Sequence, residues 1–152
     1  MKMPAKVTVC TVLLAFFSLC AAGAQARDTP HRLPVKDAIE MGKSQGKLGN
    51  DISFYFGDQS HPAVEATFAK GVVTNKKTNK ADKSVEEACN WTMLSALIQL
   101  QERARNEGGN AVINIESYFK KKNFRSKDQF ECYTGAVMSG VALKGDVVKL
   151  KK

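Results

Sequence analysis

Histidine is almost missing from this chain: His31 and His61 are the only two in 152 residues. Cysteine is scarce as well, with Cys10 and Cys20 near the start and Cys89 and Cys132 far downstream. No third cysteine or nearby histidine completes a ligand set around Cys89 and Cys132, and the two histidines would need carboxylates to hold an ion. No metal site is therefore expected. A phosphate-binding loop is also lacking. Gly42-Lys43-Ser44 has the ending of one, but position 37, where its first glycine belongs, is Asp, and no buried strand precedes it. Without those parts the backbone cannot cradle phosphates, which argues against ATPase chemistry, a nucleotide partner or a nucleotide cofactor. The chain has no internal repeat and no low-complexity tract. Acidic residues are outnumbered, 15 against 23 Lys and Arg, for a formal net charge of +8.

What is present begins with a leader. Lys2 and Lys6 give a basic start, Val7 to Gly23 is uncharged and apolar, and Ala24-Gln25-Ala26 is a small-x-small cleavage site. Residues 1–26 read as a secretory signal peptide cut after Ala26. The apolar run is about long enough to span a bilayer, so a membrane anchor through this segment is the alternative. A lipid-modified Cys20 fits less well, because bulky Leu19 precedes it. Cleavage removes Cys10, Cys20 and two lysines, leaving a charge of +6 and one even cysteine pair. In an oxidising compartment Cys89 and Cys132 are expected to form a disulfide, with two separate buried thiols as the rival.

Residues 27–50 read as a flexible lead-in containing Pro30 and Pro34, then a short helix from Val35 to Lys43. Residues 51–152 read as a single α+β domain. Ile52, Phe54 and Phe56 alternate with polar neighbours as a first strand, and Val64 to Thr74 is a second, bulged at Gly71. Asn75 to Lys83 reads as a lysine-rich loop. Ser84-Val85-Glu86-Glu87 is a capping box that opens a helix running to about Glu107, where Gly108-Gly109 stops it. Ala111 to Glu116 is a third strand, and Phe130 to Leu143 a long final one, continuing at Val147 to Leu150. The expected fold is one long helix packed on a mostly antiparallel sheet, in the order β-β-α-β-β, with the short N-terminal helix added.

On the long helix Val85, Cys89, Thr92, Met93, Ala96, Leu100 and Ala104 share one face. Trp91, Leu94 and Ile98 form a second apolar stripe on roughly the opposite face. Either residues 33–50 cover it or it is an interaction or self-association face. Three basic clusters stand out. Lys76, Lys77, Lys80 and Lys83 form the first; Lys120, Lys121, Lys122, Arg125 and Lys127, interleaved with Phe119 and Phe124, the second; Lys144, Lys149, Lys151 and Lys152 the third. Such clusters are solvated surface or a site for polyanions. In an exported protein an envelope polyanion is a better match than nucleic acid. Asp58, Ser60 and His61 have the residue types of a nucleophilic site, but one tight turn aligns all three poorly.

Asp51 to Gln59, Glu87 to Trp91, Gln101 to Arg105 and Glu107 to Val112 resemble small exported proteins of Gram-negative bacteria that often carry the label excinuclease ATPase subunit. The missing phosphate-binding loop speaks against that label for this chain. The helix-Gly-Gly-Asn-Ala-Val-Ile join is more distantly similar to the YbjQ-like heavy-metal-binding domains and to the signalling domain of the RcsF envelope-stress lipoprotein. These resemblances imply a periplasmic location, and the second implies a small α+β fold in which a helix feeds a core strand. RcsF-like domains tie helix to sheet with disulfides, using four cysteines where two remain here. No activity carries over. The combined expectation is a non-enzymatic binding or sensory module of the cell envelope, its partner an envelope protein or anionic polymer. The alternative is a small periplasmic hydrolase near Asp58 and His61.

Overall fold

A computed structural model describes residues 28–152; the expected leader and its cleavage site lie outside the described residues. In chain order the elements are β1 (Thr29–Pro34), α1 (Val35–Ser44), β2 (Ser53–Phe56), β3 (Val64–Asn79), α2 (Val85–Asn106), β4 (Ala111–Ser117), a 3-10 turn (Phe119–Lys121), β5 (Gln129–Thr134) and β6 (Met138–Leu150). The fold is α+β. Its order differs from β-β-α-β-β, because β1 precedes α1 and both β5 and β6 follow β4, and it has two helices, the long α2 and the short α1.

β6 is the hub of the sheet. β3 pairs antiparallel with it along one edge, while β5 and β4 share its other edge, one after the other. β1 continues outward from β5 in antiparallel register, and β2 joins β4 in parallel. The sheet is therefore mixed.

Three expectations are corrected here. Residues 29–34 form an ordered strand rather than a flexible lead-in, because an edge strand tolerates the missing donors of Pro30 and Pro34. The lysine-rich stretch from Asn75 to Asn79 is strand, the end of β3, with Lys76 opposite Val141 and Lys77 opposite Gly140. The final strand is two strands, since the chain turns at Gly135, whose amide donates to the Met138 carbonyl.

At the start of α2 the Ser84 hydroxyl accepts from the Glu87 amide at 3.1 Å, the N-cap half of the expected box. Its Cys89, Met93, Leu97 and Leu100 are buried against Val141, Leu143 and Val147 of β6 and Phe130 of β5. A 2.05 Å disulfide joins Cys89 to Cys132, tying the start of α2 to β5. Beside it, the buried hydroxyls of Thr92 and Ser139 share a hydrogen bond of 2.6 Å. Gly71 is a bulge in β3, with φ of +63°, and its amide donates to the Asp146 carboxylate. After Asn114, itself at φ +54°, the parity of β4 changes: Ala111 and Ile113 share a small outer cluster with Val148 and Leu150, while Ile115 joins the main core.

α1 lies on α2. Gly42 sits so close to Leu94 and Leu48 that a β-carbon there would come within 2.6 and 2.7 Å of their side chains. The loop after α1 is latched by buried Gln101, which accepts from the Gly49 amide and donates to the Lys47 carbonyl.

Candidate functional site

Alternation along β6 divides its side chains between two faces of the sheet. Ser139, Val141, Leu143 and Val147 face α2, and Gly140, Ala142, Lys144 and Asp146 face away. Antiparallel register adds Tyr133, Lys77 and Glu116 to that outer face, opposite Gly140, Gly140 and Lys144.

The segment after β4 folds onto this face. Phe119 lies over Gly140, where a β-carbon would approach its ring to 3.2 Å. The Phe119 ring stacks on Tyr133 with centroids 3.9 Å apart and planes 10° from parallel. Lys120 and Lys121 follow in left-handed conformations, φ +51° and +63°, rare for residues with side chains. Phe119, Lys120, Tyr133 and Lys77 line one side of a cleft of about 320 Å³, and the β5–β6 turn, with Val137 and Met138, lines the other.

The charges of this face divide into paired and unpaired sets. Buried Glu116 holds Lys144 at 2.9 Å and Arg125 at 3.7 Å, and accepts from the Asn123 amide. Buried Glu131 holds Arg32 at 3.3 Å and accepts from the Tyr133 hydroxyl at 3.0 Å. Burial, then this bond to an anionic acceptor, raises the Tyr133 phenol above its ordinary pKa. Cations also cover aromatic rings, Lys144 over Tyr118 at 4.4 Å and Arg32 over Phe124 at 4.3 Å. Lys120 pairs with Asp28 at 2.8 Å, and Lys80 donates to the Gly135 carbonyl at 2.9 Å. Lys77, Lys121 and Lys122 have no carboxylate partner among the described residues.

Of the first two basic clusters read from the sequence, Lys77 and Lys120 line the same cleft and Lys80 braces its turn. Lys76 has the opposite parity, facing the α2 side with Val141. Lys121 and Lys122 are exposed beside the turn, and Arg125 is occupied by Asp58 at 2.7 Å and by Glu116. Two contributors went unread in the sequence: Tyr133, whose parity opposite to buried Cys132 places it outward, and the Val137–Met138 tip. Gly135 was the available signal for a turn there.

The Trp91, Leu94 and Ile98 stripe lies under the N-terminal segment. Leu94 is fully buried beneath Gly42 and Leu48, Trp91 and Ile98 are half-buried, and the Lys47 ammonium sits 4.3 Å above the Trp91 ring. At the turn after β2, Asp58 and His61 are not joined. The Asp58 carboxylate accepts from Arg125, whose hydrogen bonds and charge hold its pKa below the ordinary 3.8. A ring nitrogen of His61 meets the Pro62 carbonyl at 2.8 Å, and the ring packs edge-on against Tyr55.

No group of three or more His, Cys, Asp or Glu side chains among the described residues could hold a metal ion. No described helix is long and apolar enough to cross a membrane. Comparison with family models, curated proteins and solved structures finds no match.

Proposed function

We propose that this protein is a non-enzymatic binding module of the cell envelope, exported to the periplasm, and that the cleft between the 3-10 turn and the β5–β6 turn takes a phosphate-bearing polyanion. One observation carries the reading. Lys77 and Lys120 come from separate sequence clusters yet line one cleft beside stacked aromatic rings. Aromatic faces and ammonium groups together suit a ligand that is charged and partly apolar. The left-handed Lys120 and Lys121 add support, because strained backbone is retained where surrounding structure holds side chains in a required place.

The test is binding to inorganic polyphosphate at two salt concentrations, by the native protein and by a Lys77→Ala, Lys120→Ala double variant. Affinity falls as salt rises, and the double variant binds more weakly at low salt. Salt-independent binding, or full binding by the double variant, overturns the reading. A hydrolase centred on Asp58 and His61 is the second reading. It would need those side chains to leave their present partners, and loss of turnover in His61→Ala is its signature.

A further inference from the structure

Val137 is the most exposed large apolar residue among those described, at 61%, and its neighbour Met138 is 39% exposed. They stand together at the turn between β5 and β6, away from the core. A turn of this kind usually carries small polar residues. Here the apolar pair is surrounded by ammonium groups from other parts of the chain. Lys77 and Lys120 share the cleft beneath the tip, and the Lys80 side chain ends on the Gly135 carbonyl within the turn itself. The lining is mostly apolar: the stacked Phe119 and Tyr133 rings are part of it, and Asp28, paired with Lys120, is its one carboxylate.

A soluble polyanion would use these lysines but would gain nothing from Val137 and Met138. A lipid surface uses both. Apolar side chains enter the boundary between headgroups and acyl chains, while lysines stay at the level of the phosphates. Anionic headgroups attract such lysines within a Debye length of the surface. We infer that the β5–β6 tip, with Lys77, Lys80 and Lys120 around it, docks this protein on the surface of a bilayer containing anionic phospholipid. The inference rests on the polyanion reading above and narrows it to one source of phosphate.

The experiment places a reporter at the tip. Val137→Trp, a substitution at an exposed site, is made in the full protein and its emission recorded with phosphatidylglycerol vesicles and with phosphatidylcholine vesicles. Trp91 is half-buried against the core beneath the Lys47 ammonium and supplies a constant background. A blue shift is expected on the anionic vesicles at low salt, with none on the neutral ones. Removing one lysine, by Lys77→Ala, should weaken anionic-vesicle binding about fivefold, and Val137→Asp with Met138→Asp about tenfold or more. The lipid inference is overturned by unchanged emission on anionic vesicles, by equal shifts on both, or by full binding of the double Asp variant. Polyphosphate separates the two proposals: if it binds but tip emission stays unchanged, only the lipid docking fails. If the protein binds neither polyphosphate nor vesicles, both fail.

Discussion

Asn110 bonds both backbone polar groups of Leu150. Its side-chain oxygen accepts from the Leu150 amide at 2.7 Å, and its side-chain amide donates to the Leu150 carbonyl at 3.0 Å. Asn110 also donates its own backbone amide to the Val148 carbonyl. The side chain thus extends the β4–β6 ladder past the point where β4 begins. The preceding Gly109 is needed for the same approach, since a β-carbon there would meet the Val148 carbonyl oxygen at 2.9 Å. Replacing Asn110 by Ala leaves the two groups of Leu150 without this partner and should cost about 2 kcal/mol. Urea unfolding will show a lower midpoint at unchanged slope. Asn110→Asp keeps the acceptor but turns a carboxylate oxygen toward the Leu150 carbonyl, so it should not restore the native midpoint.

The Cys89–Cys132 bridge spans 43 positions of sequence. Loop-closure entropy sets an upper stabilisation of about 4 kcal/mol, reduced by any residual structure in the unfolded chain. A Cys89→Ala, Cys132→Ala double variant should unfold at a lower temperature, and a reducing agent should lower the native protein's transition similarly while leaving the variant's unchanged. Calorimetry with and without reductant checks both.

Leu94 belongs to the core and not to an open face, so Leu94→Ala should cost about 3 kcal/mol. Gly42→Ala should also destabilise, by pushing a methyl group into the Leu94 and Leu48 side chains. Combined, the two changes should cost less than their sum, because truncating Leu94 removes one of the two clashes. A double-mutant cycle in urea measures the coupling.

Asp51 accepts two hydrogen bonds from Arg105, at 2.6 and 2.7 Å, and this bonding lowers its pKa from the ordinary 3.8. A carboxylate with a lowered folded-state pKa stabilises the fold above its unfolded pKa, and that contribution disappears as pH falls through the folded value. The pair is exposed, so the effect is small. Asp51→Asn should be slightly less stable than the native protein at pH 7, and the difference should close as pH drops below 3.8. Stability curves of the two proteins across that range provide the check.

Local chemistry made α2 readable. A serine cap, a glycine stop and a face running from Cys89 through Ala104 are all written between Ser84 and Gly109, and the disulfide followed from there being one cysteine pair downstream of the expected leader. β1 was hidden by its prolines, which forbid a central strand but suit an edge. The end of β3 was hidden by its lysines, for a related reason: charge along a free edge discourages pairing with another chain, so an edge strand can look like a loop. The β5–β6 turn was hidden because apolar residues continue through Ala136, Val137 and Met138. The cleft could not be read from any one segment. Lys77 and Lys120 meet only through the pairing of β3 with β6 and the fold-back of Phe119 onto Gly140, both long-range events that spacing does not encode.

That β6 neighbours three other strands has a temporal consequence. It is also the last of the described elements to be synthesised. Until its residues have emerged, β3, β4 and β5 lack the strand that unites them, and the polypeptide stays open through nearly its whole production. An open chain of this kind suits the proposed export, which threads an unfolded polypeptide across a membrane.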